Sequence, residues 1–246
     1  MSNMERFHMN LRLLTAKVIL QIRNKGFIQV TKDAVSRLMG TAADGCDTFD
    51  IERGTDTSGI LGLWRFKIDS PNAKHGVQYG TVSENHIKCL LDPLPRSATF
   101  IDLGCGKGRP LIVASEMGFK NVIGVEFVKD LAEIARNNLA KMSLCGTIIY
   151  KDVIQYELPN GPIAIYLCNP FDHTVMSAIA DKMRRRKREL WVIYINPRYR
   201  EFFDQWMQEV PLTSTQTRFF GSGSVAIWHR NDYYVSGQET PPCKPV

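Results

Sequence analysis

The sequence predicts an α/β fold: a doubly wound, mostly parallel seven-stranded sheet with a C-terminal antiparallel hairpin, plus an N-terminal helical and loop lid. Three observations predict it. From Thr99 onward, short apolar runs rich in Ile and Val alternate with stretches of helical spacing. A glycine-rich turn follows the first of these runs, and the alternation breaks near Thr213, where two strand-like stretches flank Gly221-Ser222-Gly223. Strands that alternate with helices at this interval build a parallel sheet with helices on both faces, whereas a short glycine turn joins antiparallel neighbours.

Taken in order, residues 4–27 set Leu11, Leu14, Val18 and Ile22 against Arg12, Lys17, Arg23 and Lys25. One apolar stripe of this kind suits a helix that packs as a lid, and equally one that lies on a membrane or a partner. Residues 40–80 are dense in Gly, Asp, Thr, Ser, Asn and Pro and read mainly as loops. A helix over 83–91 follows, with Ser83 as its N-cap. The regular part places strands at 99–103, 122–126, 147–150, 163–168 and 190–195. Helices fall at 110–117, 131–142, 173–186 and around 202–209. Strands at 213–219 and 224–228 make the closing hairpin. Residues 1–96 thus form the lid region, 97–235 the main domain and 236–246 a loose tail containing Pro241, Pro242 and Pro245.

Composition narrows the class. The 246 residues are 44% hydrophobic and 23% charged, with a formal net charge of +6, as in an ordinary globular protein. None of the six cysteines is spaced as Cys-x-x-Cys, and no Cys/His cluster has zinc-ligand spacing, so no metal is expected. No apolar run approaches the roughly 20 residues that span a bilayer, and the N-terminal stretch lacks a cleavage site. The expected compartment is the cytoplasm.

The chemistry is concentrated where strands end. Asp102-Leu103-Gly104-Cys105-Gly106-Lys107-Gly108 follows the first strand. A dinucleotide site needs Gly-x-Gly-x-x-Gly, with the third glycine packed tightly, and Arg109 occupies that position here. The run Phe100 to Arg109 instead resembles the first motif of class I S-adenosylmethionine-dependent methyltransferases. That resemblance implies S-adenosylmethionine as cofactor, with Gly104, Gly106 and Gly108 allowing close approach of the ligand. It also implies that Asp102 contacts the amino group of the methionine moiety. Val122-Ile123-Gly124-Val125-Glu126 ends in an acid placed to accept ribose hydroxyls, and Asp152 matches the family position that meets the adenine amino group.

At the end of the fourth strand, Asn169-Pro170-Phe171 is similar to the Asn/Asp-Pro-Pro-Tyr/Phe motif of amino-group methyltransferases, with one proline missing. An amide oxygen that accepts amine hydrogens and an aromatic face beside a developing cation suit a nitrogen acceptor, either a protein lysine or a small amine. Asp172 and His173 follow, readable as a helix cap or as a general base. Tyr79-Gly80-Thr81-Val82-Ser83 looks like the cofactor-covering loop of protein lysine methyltransferases that lack a SET domain, which makes Tyr79 a candidate contact. The run Lys182-Met183-Arg184-Arg185-Arg186-Lys187-Arg188 reads as the solvated end of a helix, complementing its dipole, in preference to a nucleic-acid surface. The competing functions are a small-molecule O-methyltransferase, an RNA methyltransferase and, in a different class, a non-catalytic adenosyl-binding subunit.

Overall fold

The computed structural model describes residues 47–68, 70–76, 79–168, 171–220 and 223–231, without the side chains of Trp64 and Phe219. The chain divides into two compact units, Met1–Asp47 and Thr48–Val246, and every element below belongs to the second. The expected N-terminal amphipathic helix, the C-terminal tail, Asn169 and Pro170 lie outside the described residues.

The centre is a seven-stranded sheet. Its strands are β3 (Thr99–Leu103), β4 (Val122–Glu126), β5 (Thr147–Tyr150), β6 (Ile163–Cys168), β7 (Leu190–Ile195), β8 (Gln208–Glu209) and β9 (Val225–Arg230), in the spatial order β5-β4-β3-β6-β7-β9-β8. β3 pairs in parallel with both β4 and β6, while β9 runs antiparallel to β7 and to β8. Five strands stand at the predicted positions, because buried parallel strands require continuous β-branched and apolar runs. Alternate residues of β6 serve opposite faces: Ala164 and Tyr166 join one core, and Ile163, Ile165 and Leu167 the other.

The helices complete the two layers. α1 (Thr48–Arg53) and a small pair, β1 (Ile60–Leu61) with β2 (Tyr79–Gly80), precede α2 (Glu84–Leu91). Ser83 caps α2 as expected, its side chain accepting from the His86 N–H. α3 (Arg109–Glu116) and α4 (Lys129–Lys141) follow β3 and β4, and α5 (His173–Arg184) follows β6. Asp172 caps α5 by accepting from the Thr174 and Val175 N–H groups, so the cap reading of Asp172 is the observed one.

The C-terminal region corrects two expectations. The helix around 202–209 stops early, as α6 (Glu201–Asp204), and Gln208–Glu209 becomes the edge strand β8. Residues 213–219 form no strand. Ser214–Phe220 is the helix α7, so the antiparallel pair at this edge is β8 with β9. The cause is a reciprocal cap: the Thr213 hydroxyl accepts from the Gln216 N–H at 3.2 Å, and the Gln216 amide oxygen accepts from the Thr213 N–H at 2.9 Å. Buried Gln216 also donates to the Cys89 carbonyl at 3.0 Å, which ties α7 to the end of α2.

Candidate active site

After β5 the chain crosses back over β4 and β3 to enter the sheet as β6, so the strand order reverses between β3 and β6. Ligands of open α/β sheets bind outside the carboxyl ends of strands at such a reversal. A crevice of about 660 Å³, counting its open mouth, lies there and is lined by Tyr79, Asp102, Gly104, Gly106, Glu126, Tyr166 and Phe171, among others. A second hollow adjoins it, bounded by Asn72, Gly76, Asp152 and Val153. Gly104, Phe127 and Phe171 line both.

The glycine loop is shaped by backbone that only glycine adopts freely. Gly104, Gly106 and Gly108 have φ of 86°, 52° and 85°. A Cβ on Gly106 would overlap the Tyr79 ring, so this glycine is also required by close approach. The Gly106 N–H donates to Glu126 Oε2 at 2.8 Å, and the Val128 N–H to Oε1 at 2.8 Å. Burial nevertheless pushes the Glu126 carboxyl up to about 7, because backbone amides do not replace a full hydration shell. Asp102 is 2% exposed, and burial together with the nearby Glu126 raises it well above the usual carboxylate range.

Asp152 caps a short turn through the Ile154 N–H, and its other oxygen accepts from the Ser70 hydroxyl at 2.6 Å and the Asn72 amide at 2.7 Å. Burial pushes this carboxyl up, but those hydrogen bonds outweigh it and hold the group below its ordinary value. Residues 70–76 are thereby fastened over the second hollow. Gly76 bridges to Phe171, the Asp172 N–H donates to the His75 carbonyl at 3.0 Å, and His75 Nδ1 lies 2.5 Å from Asp172 Oδ2. The partner of Asp172 is therefore His75. His173 packs instead against the rings of Tyr199 and Phe202.

Several important residues escaped the sequence reading. The segment 48–58 crosses the glycine loop as a strap, held by the loop's own cations. Lys107 donates to Asp56 Oδ1 at 2.6 Å and to the Ser58 carbonyl at 3.0 Å. Arg109, only 2% exposed, donates to the Thr57 hydroxyl at 2.7 Å, approaches Asp50 Oδ2 at 3.3 Å and lies over the Phe49 ring. Burial raises Asp50, yet hydrogen bonds from Thr57, Thr55 and Ser58 bring it down to about 2. Tyr79 donates to the Thr57 carbonyl, and Asn138 bonds both backbone groups of Asp56 and the Lys107 carbonyl. Tyr79, Asp102, Gly104, Gly106 and Glu126 converge on one crevice, whereas Gly108 faces Ala135 and Leu111; Phe171 joins both compartments, and Asp152 sits in the second.

Residues 100–189 match the family described as Methyltransferase domain. No curated protein matches the chain. Among solved structures, the chain is similar to the [4+2]-cyclase SpnF at 16% identity, over 46% of this chain and 44% of that one, with a TM-score of 0.40. The chain thus spans less than half the length of that protein. It is also similar to the 23S rRNA methyltransferase ErmE (14% identity, 61% and 67% covered, TM-score 0.44). A third is the magnesium protoporphyrin IX methyltransferase ChlM from Synechocystis PCC 6803 with bound SAM (18%, 59% and 76%, 0.43).

The basic run near the end of α5 serves the fold's own backbone in part. Lys182 donates to the Tyr156 carbonyl at 2.8 Å, and Arg186 to the carbonyls of Pro159 and Gly161. These bonds fix the connection between β5 and β6. Among the described residues, no helix is long and apolar enough to cross a membrane.

Proposed function

We propose that the crevice between β3 and β6 presents S-adenosylmethionine to a nitrogen acceptor, a protein lysine or a small amine. Asp102 would take the cofactor's ammonium group, Glu126 its ribose hydroxyls and Asp152 its adenine amino group, with Tyr79 covering the glycine loop. The residues suit such a ligand: Asp102 is a buried carboxylate to which no described residue donates, and the Gly106 position tolerates no side chain. Bound there, the cofactor supplies an electrophilic methyl group on a sulfonium.

The protein's share of the chemistry is then positional, and alignment alone can supply about 7–11 kcal/mol of a barrier. The observation that carries the nitrogen reading is Phe171. It is 6% exposed, follows Asn169-Pro170 directly and lines both compartments. An aromatic face there stabilises a cation that forms as an amine is methylated. Asn169 would accept an amine hydrogen and so orient the lone pair. The cytoplasm is the proposed compartment, because exposed thiols such as Cys145 persist in reducing surroundings.

A second reading, transfer to a hydroxyl, draws on the His75–Asp172 pair beside Phe171, which could act as a general base. Transfer of labelled methyl to fractionated lysate, followed by protease and nuclease digestion, separates the readings. Label released by protease and recovered on lysine, or recovered on a small amine, supports the proposal. Label lost to nuclease or recovered on an oxygen overturns it. Asn169→Ala is expected to lower turnover on the order of hundredfold with little change in cofactor affinity. Unchanged turnover would remove Asn169 from the acceptor site.

A further inference from the structure

Two buried polar groups stand side by side in the crevice without partners. Tyr166 is fully buried, and its hydroxyl has no hydrogen-bond partner among the described residues. It is the register partner of Asp102 on the adjacent parallel strand, so both side chains leave the sheet on the same face. Both line the crevice. The Tyr166 ring packs 6.0 Å from the Phe100 ring, which fixes where the hydroxyl can reach. Buried hydroxyls are rarely left unsatisfied in native proteins, and an exception inside a ligand crevice points to the ligand.

The chemistry of the pair is selective. An ionised Asp102 can only accept hydrogen bonds, whereas a tyrosine hydroxyl can both donate and accept. They do not bond each other, and a ligand that donates to Asp102 and accepts from the Tyr166 hydroxyl satisfies both. An α-ammonium beside an α-carboxylate does so. A ribose already has Glu126, which accepts from two backbone amides at the other wall.

We infer that the Tyr166 hydroxyl donates to the α-carboxylate of the cofactor while Asp102 accepts from its α-ammonium, so that together they form the subsite for the amino-acid end. This rests on the cofactor reading above. Tyr166 is a binding residue in this account. It selects ligands that carry the amino-acid end over those that carry only the adenosine part.

The test is calorimetric titration of the full chain and its Tyr166→Phe variant with S-adenosylmethionine and with 5′-methylthioadenosine, which keeps the nucleoside but lacks the amino-acid end. The variant is expected to bind S-adenosylmethionine about ten- to hundredfold more weakly, the range for a hydrogen bond to a charged group. It should bind methylthioadenosine as the unaltered protein does. Its melting temperature without ligand should not fall, because the ring is kept and only an unpartnered buried group is removed. Undiminished affinity for S-adenosylmethionine would overturn the assignment. So would equal losses for both ligands, which would mark a general packing defect. If the unaltered protein binds methylthioadenosine but S-adenosylmethionine no more tightly, the subsite fails while the nucleoside site stands. If it binds neither, the cofactor reading itself fails and the subsite with it.

Discussion

Raising the pH from 5 to 8 ionises Glu126, and cofactor affinity should rise with it. The carboxyl is 4% exposed and accepts from the Gly106 and Val128 N–H groups, yet burial holds it at about 7 against an ordinary 4.5. With that value, roughly one molecule in a hundred carries the carboxylate at pH 5 and about nine in ten at pH 8. Ribose hydroxyls donate best to the ionised form, so affinity for S-adenosylmethionine should rise about hundredfold from pH 5 to pH 8, or about 3 kcal/mol. Asp102, also pushed up by burial and by Glu126, steepens the profile. Glu126→Gln keeps the shape and removes this titration, so its plot of log affinity against pH below 7 should be shallower by about one unit. Calorimetric titration at constant ionic strength measures both slopes. A Gln variant with an unaltered slope would refute the reasoning.

The same group acts on the stability of the ligand-free protein with the opposite sign. Its folded pKa lies above its unfolded one, so its contribution is fully present below about 4.5 and is lost as the pH rises through about 7. Denaturant titration of the ligand-free protein should therefore show Glu126→Gln to be more stable than the unaltered protein at pH 8, with no such gain at pH 4. Gly106→Ala would drive a methyl group into the Tyr79 ring at a φ of 52°, and should weaken cofactor binding at least ~10-fold. Adding Tyr79→Ala should recover part of that loss in the same calorimetric assay; normal binding by Gly106→Ala alone would contradict the close contact. Arg109→Ala strips a buried guanidinium from Asp50 and Thr57 and should cost about 3–5 kcal/mol in chemical denaturation. Arg109→Lys should restore only a fraction, since an ammonium lacks the planar fork. A loss below about 1 kcal/mol, the level of an exposed pair, would remove Arg109 as the strap's anchor.

The sheet was legible because buried parallel strands leave little choice of composition. Phe100-Ile101, Val122 and Ile163 to Leu167 are buried and almost wholly apolar, and their boundaries follow from the turns between them. The stretch from Thr213 misled because Thr and Phe favour strands, whereas the reciprocal Thr213–Gln216 cap starts a helix there. That signal, Thr-x-x-Gln, was present and outweighed. Asp102 and Glu126 stood out in the sequence because each lies at the carboxyl end of an apolar strand. The strap was not, because Asp50, Asp56 and Thr57 reach partners some fifty residues away, and short polar segments carry no periodicity to reveal such pairing. Its one trace was the bulky Arg109 where a dinucleotide loop would have glycine. Tyr166 resembled any other core aromatic in an apolar strand, and its unpartnered hydroxyl, a trait it shares with Tyr194, stands out because Tyr166 lines the crevice.

The strap gives the glycine loop counter-ions of its own. Lys107 and Arg109 would otherwise offer two positive charges beside backbone N–H groups at a helix N-terminus, the usual means of holding phosphate. Asp56 and Asp50 already occupy those cations, at 2.6 and 3.3 Å. An incoming pyrophosphate would have to displace bound carboxylates from a pair buried at the base of α3, and would meet their negative charge first. The positive charge of the loop is thus balanced by carboxylates of its own chain.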